Sequence, residues 1–181
     1  DSGLVFLMGL ACETDAYDPM EKAMLEYCEK SGVTKENLFR GTLIKEYAFT
    51  NESRRMGHVW ELDGERLVAA KGSPEAILEL CSLSENERKA VEEKVAELSG
   101  EGLRVIAMAS AALPPDENIP DSLAGCSLLF SGLAGLYDPP REGIREDIAL
   151  CRRAGIRIVM ITGDSSLTAA AIAAQTGIDW E

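Results

Sequence analysis

The sequence predicts two segments of different fold class. Residues 1–125 are expected to form an α+β domain with an antiparallel sheet and flanking helices, and residues 126–181 part of an α/β domain. The first segment contains a strand pair joined by an Asp-Gly turn, together with several helix-capping signals. A polar, proline-rich stretch, Leu113–Gly125, then interrupts the pattern. Beyond it, apolar runs alternate with helical patterns, which is typical of a parallel sheet.

The first long helix is predicted by its terminal residues. Asp18 is a favoured N-cap residue and Pro19 fits the first helical position, so a helix is expected to begin there. Ser31 and Gly32 are expected to end it. The apolar stripe predicted for this helix comprises Ala23, Met24, Tyr27 and Cys28.

A β-hairpin and a capped helix are the clearest signals in the rest of this segment. His58–Leu62 and Glu65–Ala70 are predicted strands, joined by an Asp-Gly pair that tolerates the positive φ angles of a type I′ turn. Ser84, with Glu87 three residues later, forms a capping box before a second helix. The further elements expected here are a strand from Leu43, a helix over Pro74–Leu80 and a strand over Leu103–Ala109.

In the second segment, predicted strands alternate with predicted helices. Leu128–Leu136 and Ile156–Ile161 are apolar enough for strands that are buried on both faces of a sheet. Arg141–Ala154 and Ser166–Gln175 have helical patterns and follow these strands. This order predicts parallel strands with crossover helices.

The composition is that of a globular chain and argues against two classes of partner. Lys and Arg number 18 against 31 Asp and Glu, so the formal net charge is −13. Such an acidic surface disfavours nucleic acid and anionic lipid, although a few local cations can still hold a phosphate. No apolar run approaches the roughly 20 residues of a bilayer span, and no basic, apolar signal segment stands at the start. The chain is therefore expected not to insert into a membrane and to be soluble.

The cysteines and the histidine predict no metal or redox site. The five cysteines are Cys12, Cys28, Cys81, Cys126 and Cys151. They are scattered and form no CxxC pair, so buried, reduced thiols are expected. His58, the single histidine, has no metal-ligand spacing around it and is expected to be an ordinary strand residue.

Thr162, Gly163 and Asp164 lie where an α/β sheet would bind a ligand. They follow the predicted strand Ile156–Ile161 and precede a helix, whose N-terminus attracts anions. Thr162 offers a hydroxyl, Gly163 allows close approach of backbone amides, and Asp164 can orient a cation. The alternative is a plain strand-to-helix turn in which Asp164 or Ser165 caps the helix.

A second candidate is Lys71, which follows a predicted strand and precedes Gly72. The next three residues are explained by helix initiation, with Ser73 as N-cap, Pro74 at the first position and Glu75 near the positive end of the dipole. Helix initiation does not explain a lysine beside a glycine, where a cation could reach a phosphate or a ring. The alternative is a surface lysine.

A third candidate is the basic stretch Tyr47–Gly57, which contains Phe49 followed by Arg54 and Arg55. An aromatic face with guanidinium groups nearby suits a purine and its phosphates. The alternative is a core Phe at the end of a strand, followed by a solvated loop. Arg104 lies in an otherwise apolar predicted strand, where it could bind a ligand or extend its side chain to solvent.

Five motifs in order resemble the cytoplasmic region of P-type ATPases, particularly the calcium and sodium/potassium pumps: ESRRMG, KGSPE, GLRVIAMA, DPPR and MITGD. The segment DPMEKAM is similar to the family's helix that carries a glutamate close to the nucleotide, so the resemblance covers essentially the whole chain. It implies a nucleotide-binding domain over residues 1–125. This domain would be an insertion in a haloacid-dehalogenase-like phosphorylation domain, of which residues 126–181 would be a part.

The resemblance implies an ATP site whose first part holds the adenine. Phe49 matches the aromatic residue that stacks on the base. Lys71 and Gly72 match the KGAPE segment beside it, with Ser73 in place of Ala. Glu21 matches the acidic residue near the adenine amino group.

The second part of the implied site holds the ribose and phosphates. Arg54 and Arg104 match basic positions near the phosphates, and Asn51 stands where calcium pumps carry an arginine. Asp138 matches the hinge aspartate of DPPR, which lies near the ribose when the domains close. Thr162–Asp164 matches the loop that grips the phosphoryl group, with Ser165 where the family usually has Asn.

Two motifs of the family are missing from the sequence: the phosphorylation motif DKTGT, and GDGxND, whose aspartate holds Mg²⁺. The resemblance therefore implies a complete enzyme that uses ATP and Mg²⁺ through an aspartyl-phosphate, and a piece that is inactive by itself. The implied partners are ATP and the transmembrane and actuator domains of a pump. Two alternatives stay open: a non-catalytic nucleotide-binding module, and a soluble haloacid-dehalogenase-type phosphatase, which needs a nucleophilic Asp of its own.

Overall fold

A computed structural model gives the structure of residues 2–179, which form two compact units. Residues 2–88 and 106–134 form the first unit, and residues 89–105 and 135–179 form the second. Within the described range, no helix is both long enough and apolar enough to cross a membrane.

Helices and strands occur in groups along the chain. The helices are α1 (Ser2–Leu10), α2 (Pro19–Lys30), α3 (Lys35–Leu38), α4 (Pro74–Leu78), α5 (Glu85–Gly100), α6 (Ile144–Arg153) and α7 (Ser166–Thr176), with a 3-10 helix over Leu123–Cys126. The strands are β1 (Thr42–Tyr47), β2 (Arg55–Leu62), β3 (Glu65–Gly72), β4 (Arg104–Leu113) and β5 (Leu129–Leu136).

The strands form one sheet in the order β1-β2-β3-β4-β5. The first three neighbouring pairs are antiparallel. Short connections join β1 to β2 and β2 to β3, whereas α4 and α5 lie between β3 and β4 in the sequence. Asp63 and Gly64 join β2 to β3 with φ angles of 54° and 83°, so the predicted type I′ hairpin is confirmed. A sheet of this kind with flanking helices is the predicted α+β fold.

Alternation of side chains along the strands gives the sheet two packed faces. Val59 and Val68 point to one face, where they pack with alanines of β4, with α4 and with the 3-10 helix. The neighbouring residue Trp60 points to the other face, where its indole N–H donates to the Leu10 carbonyl at 2.8 Å. The Phe39 ring stacks on Trp60 with centroids 5.6 Å apart. The helices α1 and α3 therefore cover this second face.

Helix α2 begins and ends where the sequence predicts. The Asp18 carboxylate accepts hydrogen bonds from the amides of Met20, at 2.8 Å, and Glu21, at 3.3 Å, and Pro19 occupies the first helical position. The predicted apolar stripe is wrong for Ala23 and Tyr27, which are exposed. The residues that α2 buries are Glu21, Met24, Leu25 and Cys28, which follow a helical i, i+3, i+4, i+7 spacing. The predicted stripe is misplaced because the first residue of the observed buried face is a glutamate, which an apolar pattern leaves out.

Helix α5 starts with the predicted capping box. The Ser84 amide donates to the Glu87 carboxylate at 2.8 Å, and the Glu87 amide donates to the Ser84 hydroxyl oxygen at 3.3 Å. Hydrogen bonds from the Ser84 hydroxyl and amide hold the pKa of Glu87 below its usual value. Two of the otherwise unpaired amides at this helix end are thereby satisfied.

The second unit is held together by polar contacts around α7. The Thr168 hydroxyl donates to the Leu103 carbonyl at 3.0 Å, and the Tyr137 hydroxyl donates to the Gln175 side chain at 3.4 Å. Arg152, at the end of α6, forms an ion pair with Asp179 at 2.6 Å. The predicted helices of this part of the chain, α6 and α7, are both present.

The predicted buried strand Ile156–Ile161 is wrong. The segment is irregular, and its side chains reach exposed fractions of 65% at Val159 and 94% at Ile161. A strand needs a neighbouring backbone to pair with, and no strand within residues 2–179 lies beside this segment. The other predicted parallel strand, β5, joins the edge of the five-stranded sheet next to β4 and is mostly half-buried. No parallel sheet is therefore found in the described part of the chain.

The proline-rich stretch Leu113–Gly125 connects β4 to β5. Its Pro120 carbonyl accepts hydrogen bonds from the Tyr47 hydroxyl at 2.6 Å and from the Lys45 ammonium at 2.7 Å, which fix it to β1. The compactness of the two units does not test where one domain ends, so the boundary after Gly125 stays a prediction.

The capping box predicts the effect of Ser84→Ala. Loss of the hydroxyl leaves the Glu87 amide without its acceptor, so we expect the free energy of unfolding to fall by about 1 kcal/mol. Urea denaturation followed by circular dichroism measures the change. Ser82→Ala, the same substitution at an exposed residue outside the helix, is the control. Equal stability of the two variants would contradict the capping role.

Candidate functional site

The turn between β1 and β2 exposes an aromatic ring. Phe49 is 54% exposed, which argues against the alternative of a core phenylalanine. The turn is held by Thr50, whose hydroxyl oxygen accepts from the Ser53 amide at 3.0 Å and whose carbonyl accepts from the Arg54 amide at 2.8 Å. Asn51 is exposed on the same turn. The ring is thus presented to solvent on an ordered backbone.

Arg54 connects this turn to the end of β3. Its φ angle is 50°, a left-handed conformation that is uncommon for residues other than glycine. Its carbonyl accepts from the Ser73 amide at 2.9 Å, and the next residue, Arg55, pairs with Gly72. A Cβ atom at Gly72 would lie 2.5 Å from the Arg54 carbonyl oxygen. This close backbone approach requires glycine at position 72, whether or not a ligand binds there.

Lys71 is buried, and is therefore not the surface side chain of the alternative interpretation. Its ammonium donates to the Ala11 carbonyl and forms an ion pair with the Glu21 carboxylate. The other Glu21 oxygen accepts from the Glu13 amide at 3.4 Å. Lys71 therefore connects β3 to α2 and to the segment that follows α1.

The residues after Gly72 initiate α4 as predicted. The Ser73 hydroxyl oxygen accepts from the Ala76 amide at 3.3 Å, and Pro74 is the first helical residue. Ser73 and Pro74 are explained by this role in the helix. The structure thus brings Glu21, Lys71, Gly72 and the Phe49–Arg54 turn together through shared hydrogen bonds and strand pairing within the first unit.

In the second unit, Thr162–Asp164 forms an exposed loop before α7. The Thr162 hydroxyl donates to the Asp164 carboxylate at 3.0 Å, and its oxygen accepts from the Asp164 amide at 3.1 Å. The cap of α7 is Ser165, whose hydroxyl oxygen accepts from the Thr168 amide at 3.2 Å. Asp164 therefore does not serve as the helix cap.

Two other predicted site residues, Arg104 and Asp138, are also exposed. Arg104 is the first residue of β4, so its charged side chain lies at the strand end and not in the apolar middle. Asp138 follows the end of β5. Both side chains are accessible to a ligand.

The sequence did not predict a second group of polar residues, which adjoins the Lys71–Glu21 pair. Glu13, Glu46 and His58 offer ligand atoms that all lie within 4.8 Å of one another. Glu46 and His58 are direct partners in the β1–β2 ladder, which strand alternation could have indicated once the pairing was known. No local spacing indicates Glu13, because it comes from the segment after α1.

The described thiols are free, and four of the five are buried as expected: Cys12, Cys28, Cys81 and Cys126. Burial raises the pKa of the Cys12 thiol to about 12, and it also raises the pKa values of Cys28 and Cys81. Because the thiolate is the reactive form, these three cysteines are expected to be inert at neutral pH.

The buried ion pair predicts an asymmetric response to substitution. Lys71→Met leaves the Glu21 carboxylate buried without its cation, so we expect a loss of about 3–5 kcal/mol in unfolding free energy. The double variant Glu21→Gln with Lys71→Met removes the unpaired charge and should recover part of that loss. Urea denaturation of both variants provides the test.

Lys22→Met is the control, because Lys22 is an exposed lysine on the same helix as Glu21. Its effect should stay within about 0.5 kcal/mol. A Lys71→Met variant as stable as Lys22→Met would show that the ion pair does not stabilise the fold.

Comparison with known proteins identifies the family of this chain. The sequence pattern of the family described as "P-type ATPase, cytoplasmic domain N" matches residues 14–143. A sodium/potassium exporting P-type ATPase of Schizosaccharomyces pombe is 39% identical over 172 residues, which cover 89% of this chain and 17% of that protein. A calcium-transporting ATPase of Bacillus subtilis is 37% identical over 168 residues, covering 86% of this chain and 19% of that protein.

Animal relatives are similar at a slightly lower level. The sodium/potassium-transporting ATPase subunit alpha-2 of Gallus gallus is 34% identical over 189 residues, covering 89% of this chain and 18% of that protein. The chain thus spans less than a fifth of the length of these relatives. The family match extends over most of the chain, and it includes the Phe49 turn, the Lys71–Glu21 pair and the five-stranded sheet. The chain belongs to the P-type cation-transporting ATPases.

Proposed function

We propose that this chain is the ATP-binding cytoplasmic piece of a P-type cation pump. The observation that carries the proposal is the half-exposed Phe49 ring on an ordered turn, at the sheet end where the buried Lys71–Glu21 pair also lies. The family supplies the expectation of a nucleotide, and the contacts within the first unit supply a surface that suits adenine. In the parent pump, ATP hydrolysis through an aspartyl-phosphate would drive cation transport across a membrane.

The adenine base would stack on Phe49. A flat base on an aromatic ring removes apolar surface from water on both partners, and this contribution needs no charge. The turn is fixed by the Thr50 and Arg54 hydrogen bonds, so little backbone conformational freedom would be lost on binding. Glu21 is buried, and its two oxygens already accept from Lys71 and from the Glu13 amide, so we assign it to lining the site on the side of the amino edge of the base.

Lys71 would act on the base from within the protein. Its ammonium is occupied by Glu21 and the Ala11 carbonyl, so it is not free to extend toward a phosphate in this arrangement. We assign it to holding Glu21 in place and to forming the wall behind the base, together with Gly72. This role differs from direct contact between an exposed lysine and phosphate.

The phosphates would be held by exposed side chains. Arg54 and Asn51 lie on the Phe49 turn, and Arg104, with a guanidinium that suits phosphate geometry, begins β4. Asp138 would contact the ribose. Thr162–Asp164 would grip the phosphoryl group that is transferred, since a hydroxyl and backbone amides at a helix start can hold an oxyanion.

The exposed apolar segment Ile156–Ile161 has a place in this proposal. Val159 and Ile161 are more exposed than aliphatic side chains of such a run ordinarily are, and the segment has no strand partner within residues 2–179. We propose that it becomes a strand of a haloacid-dehalogenase-like phosphorylation domain when the rest of the pump supplies neighbouring strands. The transmembrane and actuator domains, and the residues that hold Mg²⁺, would belong to the same complete protein.

The stacking proposal predicts that Phe49→Ala weakens ATP binding most among single substitutions in the first unit. We expect a dissociation constant for the unmodified chain on the order of 0.1–1 mM. The substitution should weaken ATP binding by about 1–3 kcal/mol. Isothermal titration calorimetry gives both values.

Tyr27→Ala is the matched control, since Tyr27 is an equally exposed aromatic residue on α2, with an exposed fraction of 58%. It should leave ATP binding unchanged. Retention of full affinity by Phe49→Ala, in a variant shown to be folded, would remove Phe49 from the site.

The proposal also predicts that the chain alone does not hydrolyse ATP. No stretch matches the phosphorylation motif, so no carboxylate is placed to attack the γ-phosphate. Phosphate release in the presence of ATP and Mg²⁺ should stay at the level of the buffer. Hydrolysis that survives purification and disappears in the Asp164→Asn variant would contradict this assignment of roles.

A further inference from the structure

The ring of His58 is fixed in one tautomer by its surroundings. The side chain is 1% exposed, and Nδ1 lies 3.0 Å from the Leu10 carbonyl oxygen. A carbonyl oxygen can only accept, so Nδ1 carries a proton and donates it. In a neutral ring, Nε2 is then a bare lone pair.

That lone pair has no hydrogen-bond partner in the described structure, although Nε2 is fully buried. The nearest acidic atom is Glu13 Oε1, at 3.7 Å, which is too far for a hydrogen bond. Both atoms are acceptors when the ring is neutral. A buried acceptor without a partner costs free energy, so a group that binds such a lone pair would be favoured here.

A third acceptor completes the cluster. Glu46 faces His58 across the β1–β2 ladder, and ligand atoms of Glu13, Glu46 and His58 all lie within 4.8 Å of one another. Atoms bound to one Zn²⁺ at about 2.1 Å in tetrahedral geometry lie about 3.4 Å apart. The 3.7 Å separation of His58 and Glu13 is close to that value, so small side-chain movements would close the site around an ion.

We propose that Glu13, Glu46 and His58 form a binding site for a divalent first-row transition-metal ion, with Zn²⁺ as the best match. One imidazole and two carboxylates are ligands that such ions accept, whereas Mg²⁺ and Ca²⁺ prefer oxygen alone. The Leu10 carbonyl supplies the partner for the other ring nitrogen that metal-bound histidines regularly have. A fourth coordination position stays open to water.

This ion would fasten the segment after α1 to the sheet. Glu13 binds through its side chain, while its backbone amide donates to Glu21, the partner of Lys71. The short segment of residues 10–13 therefore contributes to both sites. Its Glu13 side chain is a metal ligand, and its Ala11 carbonyl and Glu13 amide bind Lys71 and Glu21 of the candidate adenine site. An ion bound only to the folded chain would also raise its stability by mass action.

The alternative is an ion pair without metal, in which a doubly protonated His58 ring faces Glu13. Nitrogen NMR of the ring distinguishes the two arrangements, because His58 is the single histidine of the sequence and its ring signals need no assignment. The experiment titrates ¹⁵N-labelled protein with ZnCl₂ at neutral pH, in the presence of excess Mg²⁺.

We expect the apo ring to show a proton on Nδ1 only, and the Nε2 signal to change with one equivalent of Zn²⁺. Glu46→Gln and Glu13→Gln should each weaken this response about tenfold or more. Glu65→Gln, at another exposed glutamate on a strand, controls for the loss of one negative charge and should leave it unchanged.

Three results would each overturn the proposal. The first is a Nε2 signal that does not respond to Zn²⁺. The second is an apo ring protonated on both nitrogens that stays so when Zn²⁺ is added. The third is that the Glu13→Gln or the Glu46→Gln variant binds Zn²⁺ as tightly as the Glu65→Gln variant. Such a result would mean that the acidic surface binds the ion diffusely.

Discussion

The buried contact between Lys71 and Glu21 determines how the first unit is assembled. It joins the end of β3 to α2, and the same ammonium holds the Ala11 carbonyl after α1. Two charges removed from water are stable together only while each has its partners. The helices α1 and α2 are therefore tied to one position on the sheet.

The candidate site follows from that arrangement and from the register of the sheet. Because β1 ends where β2 begins and β3 ends beside them, the Phe49 turn and Lys71 meet at one end of the sheet. Residues more than twenty positions apart are thus brought together without a long loop. The left-handed Arg54 and the side-chain-free Gly72 allow the two backbones to approach closely. The exposed ring is consequently supported by rigid elements, as binding residues on loops usually are.

Local signals in the sequence predicted local structure well. The caps at Asp18 and Ser84 and the hairpin turn at Asp63 depend on neighbouring residues, and all are present. Features that depend on distant residues were not predictable: the burial of Glu21 and Lys71 needs both partners, and the grouping of Glu13 with His58 needs strand pairing. The prediction of a strand at Ile156–Ile161 is wrong for the same reason, because an apolar run forms a strand only where another strand can pair with it.

In the proposed nucleotide site, charge and aromatic contact would contribute differently, because the chain is so acidic. The net charge of −13 repels a nucleotide at long range, and the Lys71–Glu21 pair adds no net positive charge to offset it. Exposed Arg54 and Arg104 act only at short range, because salt screens charges beyond about 8–10 Å. The proposed stacking on Phe49 would not be affected by this repulsion. The base would therefore supply most of the affinity of the first unit, and the phosphates would contribute fully only where further groups of the pump surround them.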